Sequence, residues 1–488
     1  MSRSSLIVHR DLDSKAMFLG AALVACLALQ PPAFVGAAAI DSRDTVALNA
    51  RGILPTPPSK DPFYQPPAGF ESTAPGTILR KRPIAAAFFN LIPDPIEAHQ
   101  ILYRTNSING SAIASVTTVF KPLVTKSDRF LTYQFAYDSA FVDCSPSYSF
   151  LLGAPPQATT NDVEFLLIQL WLLQGYVVAL PDYEGFEAAW TAGRLAGKGV
   201  LDGMRAIKNF GPSIGLVKNP MIAGAGYSGG ALATAWAAAM QPTYAPELNV
   251  KGWASGGTPA NLSALADFID GTVFSGFLPV AISGLSKPSA YGATLKPFID
   301  KIATPAGKAA LDSTLKQCAA ADVVGFPFQS VKSTKFQSVG ENVLHTEPVA
   351  GVLAQCVLGV DKPLTPSAPT LLYHSHNDEL VAVEPAEFAR DAWCSNGADI
   401  SWLNLANGGH GTGVVVAIPE VLAFINNAFS GKVAKGCSQR TILSTELNPL
   451  SLGLALEPIA VGLINWLAKI GTNDEGWIQS IKDGKPIW

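Results

Sequence analysis

A serine between glycines, followed along the chain by an acid and a histidine, is the pattern in this sequence that could perform chemistry. Ser228 lies in residues 226–230 (GYSGG), after an apolar segment that predicts a strand. The alanine-rich segment beginning at Gly229 predicts a helix that stops at Pro242. A strand that turns directly into a helix tolerates only small neighbours and exposes the serine Oγ near a helix N-terminus. This is the geometry of an acyl-transfer nucleophile.

A serine is a weak nucleophile until a base takes its proton and an acid orients that base. In this topology the order along the chain is serine, acid, histidine, with each in a loop after a strand. His410 lies in a glycine-rich loop after the last predicted strand, and Asp378 follows the preceding strand. Ser228, Asp378 and His410 are therefore the candidate triad. Glu379 is the alternative acid; the competing interpretation is a solvated loop acid and a turn histidine bound to backbone.

An acyl-transfer site also needs backbone N–H groups that stabilise an oxyanion. The residue after the nucleophile, Gly229, supplies one, and the loop after an earlier strand supplies the other. Asp138 follows the strand predicted at 130–137, so its N–H is the candidate, unless Asp138 only begins a turn. Asp182 also ends a strand, but it precedes the serine and is interpreted as a structural loop acid.

Three other patterns suggest different chemistry. Residues 224–229 fit the G-x-G-x-x-G dinucleotide fingerprint, but the next strand ends without the acid that this motif requires. A second G-x-S-x-G at 211–215 follows a helical segment and indicates a helix end and a turn. His374 and His376 form an H-x-H pair without an obvious third ligand. The sequence therefore predicts neither a metal nor an organic cofactor.

Composition and the N-terminus limit the partners and the location. The 488 residues carry a net charge of −4 and only 15% are charged, which argues against a nucleic-acid partner. An apolar stretch at 16–29, preceded by basic residues and followed by small residues at 37–39, predicts a signal peptide over 1–39, with a signal anchor as the alternative. The apolar segment 450–470 contains a glutamate and a proline, so we expect a mature, secreted chain without a membrane span.

Secretion favours disulfides and glycosylation. Cys26 lies in the signal, and one thiol is left over among the five remaining cysteines. Asn109 and Asn261 begin glycosylation sequons and are acceptor candidates if they are exposed.

The order of elements predicts the fold. Residues 40–99 are interpreted as an N-terminal arm, and 441–488 as a C-terminal extension or flap. Strands and helices alternate over 100–260 and 354–440, which predicts an α/β domain with a mostly parallel sheet covered on both faces. Alternation is lost over 261–353, so this segment is interpreted as an inserted, mainly helical cap. The predicted strands include 130–137, 176–180, 219–225, 250–254, 370–374 and 400–405, and the predicted helices are 163–174, 188–210, 229–240, 384–394 and 419–429.

The chain resembles the fungal secretory lipase family in segments of matching order and spacing. These segments are 137–139 (YDS), 144–148 (CSPSY), 178–185 (VALPDYEG), 201–203 (LDG), 226–230 (GYSGG), Trp236, 244–247 (YAPE), 376–381 (HNDELV) and 409–410 (GH). The resemblance covers most of residues 60–440.

The resemblance implies an α/β-hydrolase fold with an inserted helical cap, the same triad and oxyanion donors, and hydrolysis of lipid esters. It also implies the disulfides Cys144–Cys318 and Cys394–Cys437, leaving Cys356 free. We therefore expect a secreted triacylglycerol lipase that acts at a lipid–water interface. The alternatives are an esterase for short or non-lipid acyl groups, a serine peptidase, or a catalytically silent binding protein on the same scaffold.

Overall fold

The computed structural model describes residues 54–155, 159–443 and 474–483. The predicted signal peptide and the segment 450–470 lie outside the described residues. The strands, in chain order, are β1 Ile78–Ile84, β2 Ala87–Phe88, β3 Ile92–Pro93, β4 Glu97–Asn106, β5 Ala112–Lys121, β6 Arg129–Gln134, β7 Val177–Pro181, β8 Met221–Tyr227, β9 Val250–Gly256, β10 Thr370–Ser375, β11 Ile400–Leu405 and β12 Ser438–Ile442.

The α-helices, in chain order, are α1 Pro146–Ser149, α2 Thr159–Leu173, α3 Gly193–Phe210, α4 Gly229–Tyr244, α5 Leu262–Ile269, α6 Phe277–Leu285, α7 Gly292–Ile302, α8 Pro305–Thr314, α9 Ala319–Gly325, α10 Val349–Ala354, α11 Glu384–Ser395, α12 His410–Val416, α13 Ile418–Phe429 and α14 Glu475–Lys482. Short 3₁₀ helices lie at Pro62–Tyr64, Phe70–Ser72, Val142–Cys144, Gly211–Ile214 and Gly340–His345.

Ten of these strands form one sheet, in the order β1-β4-β5-β7-β6-β8-β9-β10-β11-β12. The strands from β7 to β12 in that order pair in parallel, and the others pair antiparallel. Successive residues of β7 belong to different cores: Val177 and Ala179 pack with α3 and α4, whereas Val178 and Leu180 pack with α2 and α13. The sheet is therefore covered by helices on both faces, as the near-continuous apolar strands predict.

The sheet begins earlier than predicted, inside the segment that was interpreted as an arm. β1 pairs antiparallel with β4, which itself starts at Glu97. β1 is an edge strand: Arg80 and Lys81 are exposed, and Pro83 lies within it. Charged residues and proline are typical of protected sheet edges, and they hide the alternation that would otherwise mark a strand.

Three predicted helix boundaries were wrong, one of them the start of α2, which begins at Thr159 rather than at residue 163. The helix predicted at 188–210 begins at Gly193, because Ala188 and Thr191 have φ values of +52° and +64°. The helix predicted to stop at Pro242 continues to Tyr244. A proline in the last turn removes only one intrahelical hydrogen bond. The N–H of Ala245, which follows Pro242, still donates to the carbonyl oxygen of Gln241.

The cap consists of helices α5 to α10, inserted between β9 and β10, and contributes most of one apolar cluster that is separate from the two cores of the sheet. A disulfide joins Cys144, which follows β6, to Cys318 at the start of α9, so the cap is covalently tied to the sheet domain. A second disulfide joins Cys394 of α11 to Cys437, next to β12. These are the pairs that the family resemblance implies, and Cys356 is a buried free thiol.

Within the described ranges, no single helix combines the length and hydropathy needed to cross a bilayer, although α12 and α13, bent by 50°, reach both as a pair.

Candidate active site

Ser228 occupies the corner between β8 and α4, and its backbone is strained. Its φ is +54°, in the left-handed region that residues with a side chain rarely adopt. The neighbouring residues are glycines because a side chain would not fit at these positions. A Cβ at Gly226 would lie 2.6 Å from the carbonyl oxygen of Gly230, and a Cβ at Gly230 would lie 2.0 Å from that of Gln134. The glycine spacing therefore reflects direct contact between strand and helix backbones.

The side chains of Ser228, His410 and Asp378 form one hydrogen-bonded chain. Nε2 of His410 lies 2.7 Å from Oγ of Ser228, and Nδ1 lies 2.7 Å from Oδ2 of Asp378. The structure thus brings together the three residues that the sequence nominates as a triad. In this arrangement Nδ1–H can donate to the carboxylate while Nε2 accepts the serine proton.

Asp378 is buried, yet its surroundings favour the charged form. Its Oδ1 accepts the N–H groups of Leu380 at 3.0 Å and Val381 at 2.7 Å. Nε2 of His374 lies 3.3 Å from Oδ2. Burial alone would raise the pKa of Asp378, but the charge of His410 and the hydrogen bonds from both histidines outweigh burial and hold that pKa well below its usual range.

His410 is fixed from both sides. Burial alone would lower its pKa, but the carboxylate of Asp378 outweighs burial, so the pKa of His410 lies above its ordinary value. The hydroxyl of Tyr227 donates to the His410 carbonyl oxygen at 2.7 Å, and the two rings lie 5.2 Å apart. A base held in this way is in place before a substrate binds.

The alternative acid and the histidine pair have other surroundings. Oε2 of Glu379 accepts the backbone N–H of His410 at 3.0 Å, rather than a proton of the ring. The ring of His374 is buried with Nε2 2.9 Å from the Val381 carbonyl oxygen, whereas His376 lies beyond the end of β10 and is exposed. Among the described residues, no group of three or more His, Cys, Asp or Glu side chains could hold a metal ion.

The two predicted oxyanion donors adjoin the serine. Asp138 has a φ of +42°, so its backbone is strained, like that of Ser228. A Cβ at Gly229 would lie only 1.8 Å from Oδ1 of Asp138, so the loop after β6 is in contact with the start of α4. Both residues line one pocket with Ser228. Nε1 of Trp190 donates to Oδ1 of Asp138 at 2.9 Å and holds this loop.

Further carboxyl groups are buried behind the oxyanion loop. Burial raises the pKa of Asp138 to about 6 and that of Glu164 to about 8. Burial, together with the charges of Asp138 and Asp182, raises the pKa of Glu184. Oε2 of Glu164 accepts the N–H of Ala136 at 2.8 Å, close to the loop. Protonated carboxyls add no negative charge beside a developing oxyanion, so this cluster favours acyl transfer when it is neutral.

An apolar cavity of about 150 Å³ lies in the cap beside the serine pocket. Its walls come from α5 to α8, α10 and the segments between them. The cavity and the serine pocket share the residues Trp190, Thr191, Leu262, Leu265, Ile269 and Phe277. The site therefore offers an apolar compartment next to its nucleophile, with few polar groups to bind anything hydrophilic.

The competing motifs have structural explanations. Gly224 of the dinucleotide-like motif lies against the ring of Trp253, which a Cβ would approach to 2.3 Å. Ser213 of the second G-x-S-x-G lies in the short 3₁₀ helix that follows α3, as predicted. Asp182 is buried and accepts the N–H and hydroxyl of Ser147, which agrees with a structural loop acid.

The two sequons remain predictions. Asn109 is exposed in a turn, as glycosylation requires. Asn261 is partly buried and its side-chain oxygen caps α5 by accepting the N–H groups of Ser263 and Ala264.

Three contacts at the site were not predicted. The first is the contact of His374 with Asp378. The alternation of residues along a strand could have placed His374 on one face of the sheet, but not beside a particular acid. The second is the hydrogen bond from Trp190 to Asp138. The third is a carboxylate from the C-terminal segment, Asp474, which accepts the N–H groups of Gly411 and Thr412. No local sequence signal links Asp474 to the histidine loop, because the two lie more than 60 residues apart.

A mostly parallel sheet, a serine at a strand-to-helix corner and an inserted helical cap define an α/β-hydrolase. The sequence profile of the family described as secretory lipase matches residues 152–436. The secreted triacylglycerol lipase LIP2 of Malassezia globosa is 36% identical over 441 residues, which cover 88% of this chain and 94% of that relative. The chain belongs to the secretory lipase family, which confirms the resemblance found in the sequence.

Other similar proteins agree with this assignment. Lipase 10 of Candida albicans is 35% identical over 401 residues, covering 80% of this chain and 85% of the relative. The X-ray structure of Candida antarctica lipase A in its closed state is 30% identical, with a TM-score of 0.74 over 86% of this chain and 96% of that one. A rice cell wall degrading esterase of Xanthomonas oryzae, 14% identical with a TM-score of 0.55, shares the fold.

Replacing Asp378 by asparagine tests which groups donate and which accept in the hydrogen-bonded chain of Ser228, His410 and Asp378. We expect kcat to fall by about 10⁴-fold, because the amide cannot hold the required tautomer of His410. Activity of the wild-type protein should be lost as the pH falls through the raised pKa of His410. In the variant the carboxylate is absent and burial lowers the pKa of His410, so the residual activity should persist to lower pH. The pH profile of kcat/KM checks this, with Asp391→Asn, a surface change, as the control.

Replacing Gly229 by alanine tests the contact between the oxyanion loop and α4. The added Cβ would displace Asp138, so we expect kcat to fall about 100-fold with little change in KM. Gly325→Ala is the matched control, since its Cβ would meet only a side-chain nitrogen at 3.7 Å. Equal kcat values for both variants in steady-state assays would contradict the placement of the oxyanion donors.

Proposed function

We propose that this protein is a secreted lipase that hydrolyses the ester bonds of triacylglycerols. The observation that supports it best is an apolar cavity in the cap beside a serine that is hydrogen-bonded to a histidine and a buried acid. The relatives named above include secreted triacylglycerol lipases, which supports the same substrate and an extracellular location for this chain.

The chemistry begins with the transfer of the Ser228 hydroxyl proton to Nε2 of His410 as Oγ attacks the ester carbonyl carbon. The N–H groups of Asp138 and Gly229 stabilise the oxyanion of the tetrahedral intermediate. As the intermediate collapses, the imidazolium returns its proton to the departing glycerol oxygen, which leaves an acyl-enzyme. Water then loses a proton to His410, attacks the acyl carbon and releases the fatty acid with Ser228 restored. Asp378 remains ionised throughout and stabilises the imidazolium.

The cap supplies the binding energy for a lipid chain. Burial of a methylene group contributes about 0.8 kcal/mol, so an acyl chain gains affinity with every carbon that enters an apolar cavity. Leu265 and Phe277 line both this cavity and the serine pocket, so the two spaces adjoin. Long acyl chains are therefore the substrates that use the cap fully, while short soluble esters use only the serine pocket.

Replacing Ser228 by alanine should abolish ester hydrolysis without reducing secretion, because the side chain lies at the surface of a pocket rather than in the core. The assay compares emulsified long-chain triacylglycerol with a soluble short-chain ester. A lipase hydrolyses the emulsion with Ser228-dependent kinetics. Activity confined to the soluble ester would identify an esterase, and activity that persists in the variant would refute the nucleophile.

Replacing Ile299 by tryptophan tests the acyl cavity. Ile299 lines the cap cavity away from the serine pocket and is only half-buried, so the larger ring can enter the cavity with little overpacking. We expect kcat/KM for long-chain esters to fall about tenfold, while hydrolysis of short-chain esters is unchanged. Phe268→Trp, on the exposed face of α5, is the control. An unchanged chain-length profile would place the acyl chain elsewhere.

A further inference from the structure

Three consecutive N–H groups of the histidine loop donate to two carboxylates. The N–H of His410 donates to Oε2 of Glu379 at 3.0 Å. The N–H of Gly411 donates to Oδ2 of Asp474 at 2.5 Å, and that of Thr412 donates to Oδ1 of Asp474 at 3.0 Å. These groups begin α12, where the first N–H groups of a helix lack internal partners. Asp474 thus caps the helix that carries the catalytic histidine.

Within α12, Oγ1 of Thr412 accepts the N–H of Gly409, but the N–H groups of Gly411 and Thr412 are capped from outside the helix because its N-cap residue has no side chain. The N-cap residue of α12 is Gly409, where a Cβ would lie 2.3 Å from Oε2 of Glu379 and 2.7 Å from Oδ2 of Asp474. Asp474 is itself the N-cap of α14, but its side chain makes no bond to α14. An aspartate at that position ordinarily caps its own helix. Here it has a φ of +57°, is fully buried and reaches a different helix.

Helix α14 is held against both the cap and the acid loop. Ile481 is buried in the apolar cluster that contains Ile269 and Phe274 of the cap together with Leu380 and Val381. Leu380 and Val381 directly follow Asp378 and Glu379. The C-terminal helix therefore connects the cap, the acid loop and the histidine loop at one point.

We propose that Asp474 is a positioning residue for His410, and that the carboxyl pair it forms with Glu379 fastens helix α14 to the histidine loop as long as the pair holds a proton. This inference rests on the proposed function, because it assigns a role in ester hydrolysis. Asp474 is buried, Glu379 is partly buried, and both carboxyls lie against Gly409. They cannot both be ionised without repulsion, and one proton shared between them removes that repulsion. With the proton lost, the pair repels, α14 is released, and the start of α12 loses its cap.

The pH dependence follows from the groups around the pair. Burial and the charge of Asp474 raise the pKa of Glu379 to about 8, and burial raises the pKa of Asp474 as well. Raised pKa values mean that the contact is fully stabilised below the unfolded pKa, about 4, and weakens as the pH rises through about 8. The charged or titratable groups that interact with the pair are His410 and Tyr227.

Two helices beside the pair carry further charged or titratable groups. On α14 itself, Glu475 and Lys482 are exposed. The adjacent cap helix α9 contributes Asp322, whose Oδ1 accepts a hydrogen bond from Gln317 and whose pKa burial raises to about 7. The Glu379→Gln variant leaves Asp322 unchanged and therefore separates the titration of the pair from that of Asp322.

The test uses the full secreted chain with Asp474→Asn, Glu379→Gln and, as the matched control, Glu475→Gln. The amide of the Asp474→Asn variant retains one acceptor oxygen for two N–H groups, so kcat for a soluble ester should fall about 10- to 100-fold while KM changes little. In Glu379→Gln the amide donates to Asp474 at every pH, as the protonated acid does. Its kcat should match the wild-type value below pH ~7, and its alkaline decline should move up by about one pH unit or more. Glu475→Gln should change neither parameter.

Hydrogen exchange of residues 410–412 and 474–483 gives a second readout. Protection in the wild-type protein should decrease between pH ~6 and pH ~9, after correction for intrinsic rates, and should persist in Glu379→Gln. A folded Asp474→Asn variant with wild-type kcat, or a Glu379→Gln variant with an unchanged alkaline limb and unchanged protection, would overturn the proposal. Absence of Ser228-dependent hydrolysis in the wild-type protein would instead refute the proposed function, and would leave the exchange measurement to decide whether the pair fastens α14.

Discussion

Strand β8 and helix α4 are in backbone contact at Ser228, with the serine held at a φ of +54° between them. This contact leaves no room for side chains at Gly226 and Gly230, and it places Gly229 against Asp138. The strain at Ser228 persists because the sheet and the helix, both deeply buried, determine where the corner must be. Every other part of the site is arranged around an Oγ atom whose position is set by this contact.

Burial alone does not decide which acids at the site are charged. Asp378 and Asp138 are both buried, yet the pKa of the first lies below its usual range and that of the second is raised to about 6. The difference lies in their partners. Asp378 accepts two backbone N–H groups from the next residues and faces two histidines, whereas the donors to Asp138 are Trp190 and its own backbone N–H. The surroundings thus favour the charged carboxylate where an imidazolium forms and disfavour it where an oxyanion forms.

The sequence predicted those parts of the site that depend on local geometry or chain order. The strand-to-helix corner at Ser228 follows from nearby glycines and an apolar strand, and Asp378 and His410 follow from their places after successive strands. The position of Asp138 follows from the end of β6. The predicted parallel strands and flanking helices are present because period and composition specify them locally. The family resemblance, rather than spacing, supplied the disulfide pairing.

The remaining features depend on tertiary contacts that no local pattern encodes. β1 was missed because an edge strand with Arg80, Lys81 and Pro83 lacks apolar alternation. The helix end at Pro242 was wrong because one lost hydrogen bond is tolerated in a final turn. The contact of Asp474 with the histidine loop joins residues more than 60 positions apart, and an aspartate before a helix normally predicts a cap for that helix.

The acid loop links the chemistry to the cap. The N–H groups of Leu380 and Val381 bind the Asp378 carboxylate, while their side chains pack in the cap core and line the serine pocket. A hydrophobic molecule that enters the pocket therefore contacts Leu380 and Val381, whose backbone N–H groups orient Asp378. Closer packing there restricts the loop, and a restricted loop holds Asp378 and His410 in the geometry that Ser228 requires.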